Sequence, residues 1–116
     1  MWDAMSKRLE YLQRIVGAEG GQRADSFAWY GLAMEYRGLA RHEEALKTFE
    51  GLRARDPGYV PMYLMCAQML GTMGRGAEAR TWLVQGVEAA KKQGNGHALS
   101  ELESALETLG HEPQKA

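Results

Sequence analysis

At 116 residues the chain has the length of one domain, long enough to bury a core without disulfide or metal staples. Its 14 Lys and Arg against 15 Asp and Glu leave a net charge of −1, which argues against the excess of Lys and Arg on one face that nucleic acid binding needs, so no nucleic acid partner is expected. The lone Cys66 cannot form an internal disulfide, "MWDAMSKRLEYLQRIV" lacks the apolar core of a signal peptide, and no run of about 18 apolar residues spans a bilayer, so a cytoplasmic protein away from membranes is expected.

Ala, Leu, Met, Glu, Gln, Lys and Arg dominate between short Gly-containing breaks, and no β-branched run alternates with polar residues, so the fold class is all-α. The breaks "GAEGGQRAD", "RGLAR", "RDPGYVP", "GTMGRG" and "KKQGNGH" predict helices over 3–18, 25–38, 41–54, 59–73, 76–92 and 96–109. Connections this short make antiparallel neighbours, hence successive helical hairpins.

In the first helix Leu9, Leu12, Ile15 and Val16 form an apolar stripe. The second carries two faces. Ala28, Trp29, Leu32, Ala33, Tyr36 and Leu39 make a core face, while Phe27, Tyr30 and Met34 fall nearly opposite, with Arg37 a turn further on. The cluster "RHEEALK" at the third helix reads as a solvated face.

The fourth helix gathers Met62, Met65, Cys66, Met69 and Met73 with Tyr63 and Leu70 into an arc of about 160°, leaving Leu64, Gln68, Gly71 and Thr72 on the rest. Thioether and thiolate groups suit copper(I), so a Met/Cys soft-metal site is one reading. No second Cys or nearby His completes a ligand set, and so broad an arc fits core packing, where Met fills irregular gaps. No cofactor is expected.

"GTMGRGAEAR" resembles a phosphate loop only superficially, because no strand precedes it and no GK[ST] ends it; it is the turn before the fifth helix, with Gly74 where the chain reverses. In the last helix Leu99, Leu102, Leu106 and Leu109 line one side, with Ser100, Glu101, Glu103, Ser104 and Glu107 on the others. His42, His97 and His111 are isolated from one another in sequence and form no HExxH, so no catalytic residue is assigned and no enzyme is expected.

Trp29, Leu32, Ala33, Tyr36, Ala45, Phe49 and Pro57 follow the tetratricopeptide pattern W-x2-L-G-x2-Y, A-x3-F, P, with Ala33 where the pattern has Gly. The stretch "AWYGLAMEYRGLARHEEALKTFEGLRARDP" therefore resembles one tetratricopeptide repeat. About 34 residues on, Tyr63, Cys66, Ala67, Leu70, Ala79 and Leu83 occupy the matching positions, which keep their sizes and lose their letters. Lys91 stands where Pro57 would recur, so the fifth helix is expected to run on to about Gln93.

The resemblance implies antiparallel hairpins stacked as a short right-handed superhelix in a single domain over 1–116. Its parts are a packing helix at 3–18, repeats at 26–59 and 60–93, a capping helix at 96–109 and a tail at 110–116. It also implies a concave groove formed by the first helices of the repeats, here Phe27, Tyr30, Met34, Arg37, Leu64, Gln68 and Thr72. Members that hold the carboxylate tails of chaperones use Lys, Asn and Arg there, and only Arg37 is of that kind, so that specificity is not carried over. The implied role is a protein–protein interaction adaptor for a peptide segment, the alternative being a homodimeric scaffold in which a second copy covers the same face.

Overall fold

The computed structural model describes residues 4–17 and 25–111. Among them all regular structure is helical: α1 (Ala4–Gly17), α2 (Ser26–Gly38), α3 (His42–Arg55), α4 (Pro61–Thr72), α5 (Gly76–Gln93) and α6 (Gly96–His111). The expectations for residues 1–3, 18–24 and 112–116, which include both ends of the first helix, most of the first break and most of the tail, lie outside the described residues. α4 starts two residues later than its pattern suggested, at Pro61, where a missing N–H leaves no helical bond unmade. α5 does continue to Gln93, where Gly94 in the left-handed region (φ 64°) ends it.

The helices fall into two compact units, Met1–Asp56 and Pro57–Ala116. In the first, Asp25 caps α2 by accepting the Ala28 N–H at 2.9 Å, and Ser26 Oγ donates to Asp56 Oδ2 at 2.6 Å, tying the start of α2 to the end of α3. Ala33, Ala45, Phe49 and Leu52 are wholly or almost wholly buried, the small alanines letting α2 and α3 approach. Trp29 departs from the expected core position and is half-buried. Its ring covers Gly51, where a Cβ would stand 2.7 Å from Cζ3, and the Arg55 guanidinium lies 5.0 Å from a Trp29 ring centroid.

α1 lies antiparallel on α2. Arg8 Nε is 3.0 Å from Glu35 Oε1, Leu12 touches the Gly31 position, and Gln13 Nε2 donates to the Tyr36 hydroxyl at 2.8 Å. Leu9, Leu12 and Val16 of its stripe are buried against this unit, and Ile15 is half-buried.

In the second unit α5 packs between α4 and α6. The three helices meet at Gly86, which faces Tyr63 of α4 and Leu102 of α6. The Tyr63 and Trp82 rings are tilted by 54° with centroids 6.0 Å apart. The Tyr63 hydroxyl donates to the Pro57 carbonyl and Gln93 Nε2 to the Gly58 carbonyl, so both ends of the α4–α5 hairpin hold the loop that enters it. Met62, Cys66, Met69 and Leu70 are at most 2% exposed, as core packing requires, while Met65 and Met73 of the same arc are only half-buried.

One turn occurs in both units. Arg41 N–H bonds the Tyr36 carbonyl and Arg75 N–H the Leu70 carbonyl, closing the ends of α2 and α4 around a left-handed residue, Ala40 (φ 59°) in the first and Gly74 (φ 77°) in the second. The next helix then opens with a two-pronged ion pair, Arg41 to Glu44 at 2.7 and 2.6 Å and Arg75 to Glu78 at 2.7 and 2.8 Å.

Candidate functional site

α4 and α6 converge at Gly86, and further along a groove opens between them over the face of α5. It encloses about 550 Å³ and is lined by Leu64, Ala67, Gln68, Gly71 and Thr72 of α4, Ala79 and Leu83 of α5, and Ala105, Thr108 and Leu109 of α6. A shallower extension of about 420 Å³ runs beside Leu64 and Gln68 past His97, Ser100, Glu101 and Ser104.

The local reasons are plain in the sequence. The buried arc of α4 turns Met62, Tyr63, Cys66, Met69 and Leu70 away, which leaves Leu64, Gln68, Gly71 and Thr72 to face outward. Leu102 of α6 is 1% exposed at the contact with α5, so the small and hydroxylic residues on its other side, Ser104, Ala105 and Thr108, form the opposite wall. The Thr72 hydroxyl donates back to the Gln68 carbonyl at 3.1 Å. His97 Nε2 lies 3.4 Å from Glu101 Oε1 at the far end.

Of the seven residues expected to contact a partner, Leu64, Gln68 and Thr72 stand together on one wall of this groove. Phe27, Tyr30, Met34 and Arg37 lie on α2 in the other unit. Phe27 is 72% exposed, and Tyr30, Met34 and Arg37 are half-buried. Partial burial raises the Tyr30 hydroxyl above its ordinary value, an effect that the positive charge of Arg37 partly offsets.

The wall formed by α6 was missed in the sequence, where that helix reads as a solvating cap. The available signal was the run of small side chains at 104, 105 and 108, spaced to lie on one face. Among the described residues no group of three or more His, Cys, Asp or Glu is placed to hold a metal ion, and no helix is long and apolar enough to cross a membrane.

The Tetratricopeptide repeat family model matches residues 38–103. The chain is similar to the solution structure of a tetratricopeptide repeat domain protein from Salinibacter ruber, with 32% identity, 80% of this chain and 95% of that one covered, and a TM-score of 0.74. It is similar to a crystal structure of such a protein from the same organism, at 32% identity, 75% and 98% coverage and a TM-score of 0.70. A protein from Bordetella parapertussis shares the fold at 24% identity over 95% of this chain and 90% of its own, with a TM-score of 0.73. No protein with a curated description matches. With its hairpins, its recurring turn and these matches, the chain belongs to the tetratricopeptide repeat family of helical repeats, whose general role is protein–protein interaction.

Proposed function

We propose that the chain is a cytoplasmic adaptor, without catalytic activity, that binds a peptide segment of a partner protein. Leu64, Gln68 and Thr72 contact the segment in the groove between α4 and α6, and Phe27, Tyr30, Met34 and Arg37 of α2 offer a further contact face. The two repeats are taken as 26–59 and 60–93 of one domain. The observation that carries this reading is the groove itself, about 550 Å³ with Leu64, Ala67, Leu83 and Leu109 along its lining.

Gly71 provides a clean test. It lines the groove, and a Cβ built on it meets nothing within 4 Å, so Gly71→Trp fills the groove without entering the core. Affinity capture from the native cell should lose its specific partners with Gly71→Trp and weaken with the double change Tyr30→Ala and Met34→Ala, while circular dichroism stays helical. Partners retained by a folded Gly71→Trp protein would rule the groove out.

Self-association is the second reading, and one observation favours it: Tyr11 is 59% and Phe27 72% exposed, large aromatic surfaces that a second copy would cover. A monomeric mass by light scattering up to about millimolar protein removes it, since weak biological dimers populate there.

A further inference from the structure

The charges around the groove are one-sided. α4, from Pro61 to Thr72, contains no Asp, Glu, Lys or Arg. α6 contains Glu101, Glu103 and Glu107 and neither Lys nor Arg, and Glu101 stands on the groove's shallower extension. At the other end Arg75 is held by both carboxylate oxygens of Glu78, at 2.7 and 2.8 Å. Neither wall therefore carries a Lys or Arg to take a carboxylate, whereas a cation passing over α6 meets Glu101, with His97 3.4 Å from it, and the hydroxyls of Ser100, Ser104 and Thr108.

The shape adds a second constraint. Ala67, Gly71, Ala79 and Ala105 keep the lining low between the two walls, which lets the ridge of another helix seat closely. Among the described residues the unit is all helix and offers no sheet edge to which a strand could add. The walls run for roughly 12 Å from Leu64 to Thr72 at 1.5 Å per residue, about two turns of a bound helix.

We infer that the groove receives an amphipathic helix of a partner protein whose apolar stripe is flanked by Lys or Arg. This rests on the groove being the binding face. The apolar stripe lies over Leu64, Leu83 and Leu109, and the basic flank crosses α6 near Glu101, which orients the helix and adds to its affinity.

Two synthetic amphipathic peptides of about 18 residues, long enough to form helix, test it. They share one Leu/Ala stripe and carry either Lys or Glu on its flanks, and their binding to the full chain is read by fluorescence anisotropy. The Lys peptide should bind about tenfold tighter at low ionic strength, and the gap should shrink as salt screens it. Glu101→Gln should narrow the gap about threefold, the size of one rim charge, and Glu101→Lys should narrow it further. Gly71→Trp should abolish binding of both peptides.

Equal binding of the two peptides, or tighter binding of the Glu peptide, both blocked by Gly71→Trp, would overturn the charge inference and leave the groove as binding face. Failure of the Lys peptide to bind, or binding indifferent to Gly71→Trp, would overturn the groove as well.

Discussion

A Cβ on Gly86 would stand 2.6 Å from the Cβ of Tyr63, and 2.9 Å from Leu102 Cδ2 on the other side. Gly86 thus sets how closely α4, α5 and α6 converge, and so where the groove between α4 and α6 begins. In the repeat register of about 34 residues it lies under Leu52, which is fully buried in the first unit. The same position is filled by a side chain in one repeat and by the neighbouring helix in the next.

Gly86→Ala should therefore destabilise the protein although it replaces glycine inside a helix. The propensity benefit is about 1 kcal/mol. The Tyr63 Cβ is fixed to its backbone, so α4 itself must move, and overpacking of this kind costs about 1–3 kcal/mol. A net loss of up to about 2 kcal/mol is expected in urea denaturation. Gly71→Ala, with nothing within 4 Å of its new methyl, should instead stabilise by about 0.5 kcal/mol.

The recurring turn makes an opposite pair of predictions. Ala40 holds φ 59°, a conformation that costs an L-residue roughly 1–2 kcal/mol, while Gly74 adopts φ 77° at the equivalent place without that strain. Ala40→Gly should raise the thermal midpoint, by about 0.5–1 kcal/mol of stability after the entropy of the unfolded glycine is subtracted. Gly74→Ala should lower it by about 1 kcal/mol. Differential scanning calorimetry of the two variants beside wild type decides the matter; equal signs would mean that the turns are not equivalent.

Glu44 and Glu78 supply a pH dependence. The hydrogen bonds from Arg41 and Arg75 lower each carboxyl below the ordinary value of 4.5. A lowered folded value means the ionised pair contributes stability above pH 4.5, and that contribution disappears as the pH falls through the folded values. Both side chains are well exposed, so the effect is small and salt-sensitive. The double variant Glu44→Gln, Glu78→Gln should melt below wild type at neutral pH and merge with it in acid. A gap that persists in acid would show that the carboxylate charge is not its source.

The hairpins and their register were legible because they rest on size at fixed spacing. Ala33 and Ala67, Ala45 and Ala79, and Phe49 and Leu83 recur about 34 residues apart and all are buried. Trp29 was misjudged as core because Gly51, which makes room for its ring, lies on another helix and carries no hydropathy signal. The Arg41–Glu44 and Arg75–Glu78 pairs were present in the letters at matching register, yet exposed charges read as solvated surface until their geometry is seen. The α6 wall was hidden for a related reason. Leu102 marks only where α6 meets α5, and Ala105 and Thr108 are too small and mild to mark the side that faces α4 across a gap.

Cys66 offers a probe of the second unit from inside. Its thiol is 0% exposed on the face of α4 that buries Met62 and Met69, so a reagent has no path to it in the folded unit. Alkylation by iodoacetamide should be at least about 100-fold slower in the native protein than in urea, because reagent enters only through rare opening. If that opening unfolds the unit, Gly86→Ala should accelerate labelling in proportion to its lost stability, about thirtyfold for 2 kcal/mol. Labelling that ignores Gly86→Ala would mean that Cys66 is reached by a local movement of α4. Copper(I) or silver(I) should likewise bind stoichiometrically only once the chain is unfolded, and tight uptake by the folded protein would contradict the packing role of the methionines.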